Sequence, residues 1–342
     1  MLSLKKNYVG ICLIGAGRAG MIHANNFRSR VPNAKITAVV DPFEEAAKKA
    51  CEELEISKYY LKYQDALQDD EIDAVVVVAP TVYHREIVIA SAKAGKHVLC
   101  EKPMAMDEFE CEDMIKACAE NKVKLQLAFM RRFDESFVEA KKVIESGEIG
   151  NVVMVRSNTR GPSVPQKWMY DIEKSNGPLA EVCSHDIDTV RWFTGSEFKT
   201  VYAIGGNYRS PEALPDYPDF YDNVVMNAEF ENGMQGCIDG AQGVGYGYDA
   251  RTEILGTKGI VFLGQVHEKT IMTCTKDNGV VRPAMNSWKY LFRDAYFAED
   301  VDFVKCILED MEPRVTGIDG KMAVKVVKAG NISIKEKRIV EL

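Results

Sequence analysis

The sequence predicts a two-domain protein: an α/β N-terminal domain on a doubly wound parallel sheet, then an α+β C-terminal domain with a large, mostly antiparallel open sheet. Three observations carry this. Strand and helix patterns alternate from residue 8 to about residue 129. The strands are short, continuous apolar runs such as Val75-Val76-Val77-Val78, the mark of a sheet buried on both faces. After about residue 130 the rhythm gives way to strand candidates joined by turn residues. A chain of 342 residues is long enough for two cores, and the patterns divide it into residues 1–129 and 130–342.

In the first domain the predicted strands are Tyr8–Ile14, Ile36–Val40, Ala74–Ala79, His97–Cys100 and Val123–Ala128. Predicted helices lie between them at Ala19–Arg28, Phe43–Leu54, Arg85–Ala94 and Glu108–Asn121, and Gly95 is the stop after the third. This βαβ series is a Rossmann arrangement. In the second domain a helix at Asp134–Glu145 leads into a strand at Val152–Ser157. Further strands follow at Val224–Phe230, Met234–Ile238, Arg251–Leu255 and Ile260–Leu263, joined by Glu231-Asn232-Gly233 and Gly256-Thr257-Lys258-Gly259. A last helix, near residues 298–309, is expected to pack back toward the first domain.

Composition narrows the classes of function. The net charge of −8 disfavours a nucleic-acid or anionic-membrane surface. No apolar run approaches the length of a membrane span, and Met1–Lys6 holds no signal-peptide core. The nine cysteines are scattered without a CxxC pair, which suits free thiols in a reducing, cytoplasmic compartment and calls for neither disulfide nor zinc.

Gly15-Ala16-Gly17-Arg18-Ala19-Gly20 follows the first strand and opens the first helix, the setting in which GxGxxG cradles a dinucleotide pyrophosphate. Gly15 permits the tight turn, Gly17 the close approach of the phosphates, and Gly20 the packing of helix on strand. Asp41 ends the second strand about twenty residues on, where an acid takes the ribose hydroxyls and repels a 2′-phosphate. NAD is therefore expected over NADP; the alternative is that Asp41 only caps the next helix. Ala79, Pro80 and Thr81 should line the nicotinamide side, with His84 just beyond. Glu101-Lys102-Pro103 closes the His97–Cys100 strand and puts Lys102 at the sheet edge where ligands sit.

The richest segment of the second domain runs from Asn176 to Asp188. A helix starting near Glu181 would place Glu181, His185 and Asp188 at i, i+4 and i+7 on one face. An imidazole between two carboxylates is held in one tautomer and accepts a proton near neutral pH; the alternative is a surface charge cluster. Cys183 does not share a face with Glu181 and His185, so no metal site is assigned.

The glycine turn, Cys100-Glu101-Lys102-Pro103 and the Glu181-to-Asp188 segment together resemble the glucose–fructose oxidoreductase/inositol dehydrogenase/rhizopine-catabolism (Gfo/Idh/MocA) family over essentially the whole chain. Phe129-Met130-Arg131-Arg132-Phe133-Asp134, Tyr246-Gly247-Tyr248-Asp249 and Glu253-Ile254-Leu255-Gly256 bring it nearest the bacterial inositol 2-dehydrogenases of that family. The resemblance implies NAD-dependent oxidation of a secondary hydroxyl of a cyclitol or pyranose to a ketone, by a homodimer or homotetramer. Lys102 and His185 would be the catalytic pair and Glu181, where the family usually has aspartate, would orient the imidazole or relay its proton. Arg131, Asn158, Arg160, Asp188, Tyr246 and Tyr248 would bind the remaining hydroxyls, and Glu101 and Lys102 would also touch the cofactor. In Asn158-Thr159-Arg160-Gly161-Pro162 the histidine that inositol dehydrogenases more often place before the arginine is missing. The same site would serve a sugar or glycoside 3-dehydrogenase or a keto-sugar reductase, and a nucleotide-binding regulator without turnover is the alternative from another class.

Overall fold

Six parallel strands build the first sheet within the residues described by the computed structural model, 7–342; the expectation for Met1–Lys6 lies outside them. The strands are β1 (Val9–Ile14), β2 (Ala34–Val40), β3 (Tyr59–Tyr60), β4 (Ala74–Val77), β5 (His97–Cys100) and β6 (Leu125–Leu127). They run in the order β3-β2-β1-β4-β5-β6. Every residue of β1 and of β4 is buried, as continuous apolar runs require of a sheet covered on both sides. Strand order reverses between β1 and β4, so a crevice opens beyond their carboxyl ends. The sequence pattern missed β3, since two residues leave no period to read.

Helices at Gly20–Ser29, Glu44–Leu54, His84–Lys93 and Glu108–Glu120 alternate with these strands. Asp107 caps the last of them by accepting from the Glu110 N–H, at 2.9 Å. By its internal contacts this unit runs through Phe133 and takes up Asp294–Met322 as well. Phe303, Val304 and Ile307 of the Arg293–Leu308 helix pack into one core with Ile11, Leu13, Phe27, Val76 and Leu99. Residues 294–322, read from the sequence as part of the second domain, group by these contacts with the first unit.

The second unit comprises Asp134–Arg293 and Ala323–Leu342. Its sheet contains β7 (Val152–Gly161), β8 (Phe198–Gly206), β9 (Asn223–Phe230), β10 (Gln235–Gln242), β11 (Asp249–Gly256) and β12 (Ile260–Leu263). A short hairpin of β13 (Thr273–Thr275) and β14 (Gly279–Val281) stands apart, and β15 (Val340–Glu341) closes the sheet edge. The order is β12-β11-β7-β10-β9-β8-β15, antiparallel throughout except for the parallel pair β7–β10.

One face of this sheet carries the Gly177–Glu181 and Ser184–Thr194 helices. Close packing there leaves no room for a side chain at Gly240, where a Cβ would strike Cys183 Sγ. The other face presents Tyr202, Ile204, Val225, Leu255 and Phe262. Among the described residues no helix is long and apolar enough to cross a membrane.

Candidate functional site

The glycine turn after β1 is shaped by contacts that no side chain would permit. Gly15 takes φ +103°, and a Cβ there would sit 2.7 Å from the Val78 carbonyl oxygen. A Cβ at Gly20 would collide with the Gly15 carbonyl, so helix and strand close to backbone contact. Above Gly17 no protein atom comes within 4 Å; this is open room for a ligand. Arg18 is exposed and Ala19 half-buried beside it. The helix that begins at Gly20 has no side-chain cap and no acid in its first turn; its Met21 and Ile22 N–H groups donate to the Gly17 and Ala19 carbonyls, and its positive end favours an anion at the turn. Asp41 closes the far side, accepting from the Ala16 N–H at 3.0 Å and the Phe43 N–H at 2.9 Å. These groups fit the pyrophosphate and ribose of a dinucleotide.

Beyond β4, Ala79 is half-buried, Pro80 exposed and Thr81 buried. His84 is buried and braces this turn from behind. Its Nε2 lies 2.7 Å from the Ala79 carbonyl and its Nδ1 3.0 Å from that of Pro103. Burial holds the ring's pKa below its usual value against the pull of these carbonyls, and His84 braces the two turns.

Lys102 follows β5, half-buried, with the Lys102–Pro103 peptide cis. Its backbone N–H donates to Oε2 of Glu101, 3.0 Å away. Glu101 is buried and turns its other oxygen to His23, 3.2 Å away, so it grips the lysine from inside the unit. Arg131 is also buried, at 1% exposure, while its neighbour Arg132 pairs with Asp319 at 3.0 Å.

In the second unit the expected single helix is two. Val182 and Cys183 both donate to the Pro178 carbonyl, at 2.9 and 3.1 Å, which interrupts the ladder after Glu181. It restarts at Ser184 with the Ile187 N–H on the Cys183 carbonyl. His185 and Asp188 thus share a helix three residues apart, both buried, and Glu181 ends the helix before it, half-buried. This corrects the expectation that all three lie on one continuous helical face. A side chain between them anchors the helix: Asp186 accepts from Ser157 Oγ at 2.6 Å, and Ser157 meets Thr252 at 3.0 Å. Sequence reading missed that trio.

The same anchor shows which way β7 points. Ser157 and Thr159 face the helices, so Asn158 and Arg160 turn to the opposite side. There Arg160 makes a bidentate pair with Asp239, at 2.6 and 2.8 Å. Tyr246 donates to Asp249 at 2.9 Å, and Arg251 grips the same carboxylate at 2.7 and 2.9 Å. Asn158, Arg160 and Tyr246 are therefore not gathered with His185, contrary to expectation; the sheet lies between. Tyr248, buried, lies within reach of Gly161, where a Cβ would sit 3.6 Å from its ring.

Comparison with known proteins gives the following. Residues 9–129 match the oxidoreductase family with an NAD-binding Rossmann fold, GFO/IDH/MocA, and residues 137–262 match the GFO/IDH/MocA C-terminal domain. The chain is 34% identical over 332 residues to myo-inositol 2-dehydrogenase of Thermotoga maritima, a match spanning 97% of this chain and 98% of that one. To the NAD⁺-dependent scyllo-inositol 2-dehydrogenase of Bacillus subtilis it is 31% identical over 337 residues, covering 98% and 97%. Among solved structures, scyllo-inositol dehydrogenase of Lactobacillus casei with bound NAD(H) and scyllo-inositol superposes with a TM-score of 0.89 at 30% identity, covering 98% of this chain and 99% of that one.

Proposed function

Because this chain belongs to the GFO/IDH/MocA oxidoreductase family, with an NAD-binding Rossmann domain, we propose that it oxidises a secondary hydroxyl of a cyclitol to the ketone, with NAD preferred over NADP. The observation that carries the reading is the Lys102 turn, gripped by Glu101 at the carboxyl end of β5, where open α/β sheets bind their ligands. The near full-length similarity to inositol dehydrogenases supports the substrate class.

Bound NAD supplies a hydride acceptor; the chain supplies the rest. The Lys102 ammonium donates a hydrogen bond to the reacting oxygen and stabilises the charge that develops on it, so the reading calls on no metal. A ring nitrogen of His185 takes the hydroxyl proton. Glu181 orients that ring, and Asp188, Arg131 and Tyr248 bind the remaining hydroxyls and the apolar face of the ring.

The test is NADH formation by purified protein with inositol isomers, sugars and glycosides, each with NAD and with NADP. Turnover of a cyclitol with NAD is expected; turnover of sugars or glycosides alone would move the substrate class and overturn the cyclitol reading. Run in parallel, Asp41→Ala is expected to lower the NAD-over-NADP ratio of kcat/KM by about ten- to a hundredfold, the worth of hydrogen bonds to a carboxylate. An unchanged ratio would remove Asp41 from the ribose site.

The open face of the second sheet, where Tyr202, Ile204, Val225, Leu255 and Phe262 stand beside the Arg160–Asp239 and Arg251–Asp249 pairs, is proposed to bury itself against another copy of the chain. A sedimentation mass near two or four times 38.2 kDa is expected, and a single-chain mass would reject it.

A further inference from the structure

We propose that His23 and Asp300 are positioning residues for Lys102, acting through Glu101; this rests on the role proposed above for Lys102. His23 stands on the Gly20–Ser29 helix, the one whose N-terminus meets the glycine turn, and its side chain is fully buried. Its Nδ1 lies 2.6 Å from Asp300 Oδ1 and its Nε2 3.2 Å from Glu101 Oε1. Glu101 Oε2 in turn accepts the Lys102 backbone N–H. At the other end Asp300 Oδ2 accepts from Asn26 Nδ2 at 2.8 Å. The chain Asn26–Asp300–His23–Glu101–Lys102 thus ties the cofactor helix, the Arg293–Leu308 helix and the lysine turn into one buried line.

The donor count makes this line sensitive to a single proton. A neutral imidazole offers one N–H, and carboxylates only accept, so both ring contacts are hydrogen bonds only when the ring carries two protons. The charged and titratable groups around the ring are Asp300, Glu299 and Tyr296 on the Arg293–Leu308 helix, the tyrosine edge-on with ring centroids 5.3 Å apart, and Glu101 on the β5 turn; Asp302 acts on Glu299, and the ring's own helix contributes the neutral Asn26. Asp302 is paired with Arg314 at 3.0 Å. Glu299 has no hydrogen-bond partner for either carboxyl oxygen among the described residues, and burial pushes its carboxyl well above the usual range. One cation therefore sits between two anions. Without the second ring proton, the Glu101 contact becomes acceptor against acceptor, Glu101 swings, and the Lys102 turn loses its grip.

The experiment uses the full chain. Asp300→Asn keeps the shape and removes the charge that holds the second proton. Its kcat is expected to fall about tenfold or more, in line with the cost of small displacements at a reacting centre, while the NADH dissociation constant stays within about twofold. The ratio of variant to parent kcat is expected to rise as pH is lowered and the ring regains its proton, which a merely structural brace would not produce. Glu101→Gln is expected to give the same loss without that recovery. Parent-like kcat in both variants, or a ratio flat in pH for Asp300→Asn, overturns the proposal. If neither variant folds, the imidazole nitrogen-15 spectrum of the parent, which has five histidines, decides: two protonated nitrogens on His23 at neutral pH are expected, and a single-proton tautomer overturns it. Lys102→Ala separates the two readings. An inactive Lys102→Ala beside a parent-like Asp300→Asn fails the positioning role alone, whereas a Lys102→Ala that keeps turnover removes the ground for both.

Discussion

Lys102→Ala and His185→Ala are each expected to lower kcat by at least about 10²-fold, the lower end of what a positioned acid or base contributes. In the proposed mechanism the two side chains act on one oxygen in opposite senses, one taking its proton and the other offering positive charge. Removing either leaves the other without its counterpart, so the double variant is expected to lose little more than the worse single one. Cofactor binding separates the cases. The glycine turn and Asp41 are held by their own contacts and His185 is assigned no cofactor contact, so His185→Ala is expected to bind NADH within a few-fold of the parent. Steady-state kinetics with a fluorescence titration of NADH measure both quantities. Near-normal turnover in either single variant would sink the acid–base assignment.

His23→Ala is expected to destabilise the first unit by about 3–5 kcal/mol, the usual result of removing one member of a buried ion cluster and leaving its partners uncompensated. Burial alone would push the His23 pKa down, but the charge and hydrogen bond of Asp300, then those of Glu101, outweigh it and hold the ring well above its usual value. Burial raises the Asp300 carboxyl as well; both directions describe one tightly held proton, and the two-sided contact assigns it to the ring. A folded pKa above the unfolded one gives a contribution that is complete below pH ~6.5 and is lost as pH rises through the folded value. The gap in stability between parent and variant is therefore expected to narrow as the solution is made alkaline. Urea midpoints at several pH values measure it, and a gap below about 1 kcal/mol at neutral pH would reject the imidazolium reading.

What could be read in advance was local. Gly15, Gly17 and Gly20 announce their turn because each lies within six residues of the others, and Asp41 and Lys102 announce themselves by ending strands. The misread residues depend on features that sequence does not display. Strand β7 slips its register against β11 between Gly256, opposite Val152, and Leu255, opposite Met154. Counting inward from the buried Val152 points Asn158 and Arg160 to the helices, and the bulge reverses that phase so that Val155, Ser157 and Thr159 point there instead. The break after Glu181 is similar. Helical spacing continues through Val182 and Cys183, and what interrupts it is a doubled hydrogen bond to one carbonyl. His23 and Asp300 are 277 residues apart in sequence, so no pattern along the chain could have paired them.

The return of residues 294–322 to the first unit governs the order in which the protein can be made. A ribosome that has delivered residues through Phe133 has delivered six strands, but not Phe303, Val304 and Ile307, which complete their core. About 170 residues must follow before that core can shut, roughly nine to thirty-five seconds at ordinary rates of synthesis. Throughout that interval the nascent dinucleotide-binding sheet has one flank bare, while residues 134–293, the larger part of the second unit, emerge. The family's first domain matches residues 9–129 as a continuous stretch of sequence, yet as a folding unit it waits for residues 294–322, made only after most of the second unit.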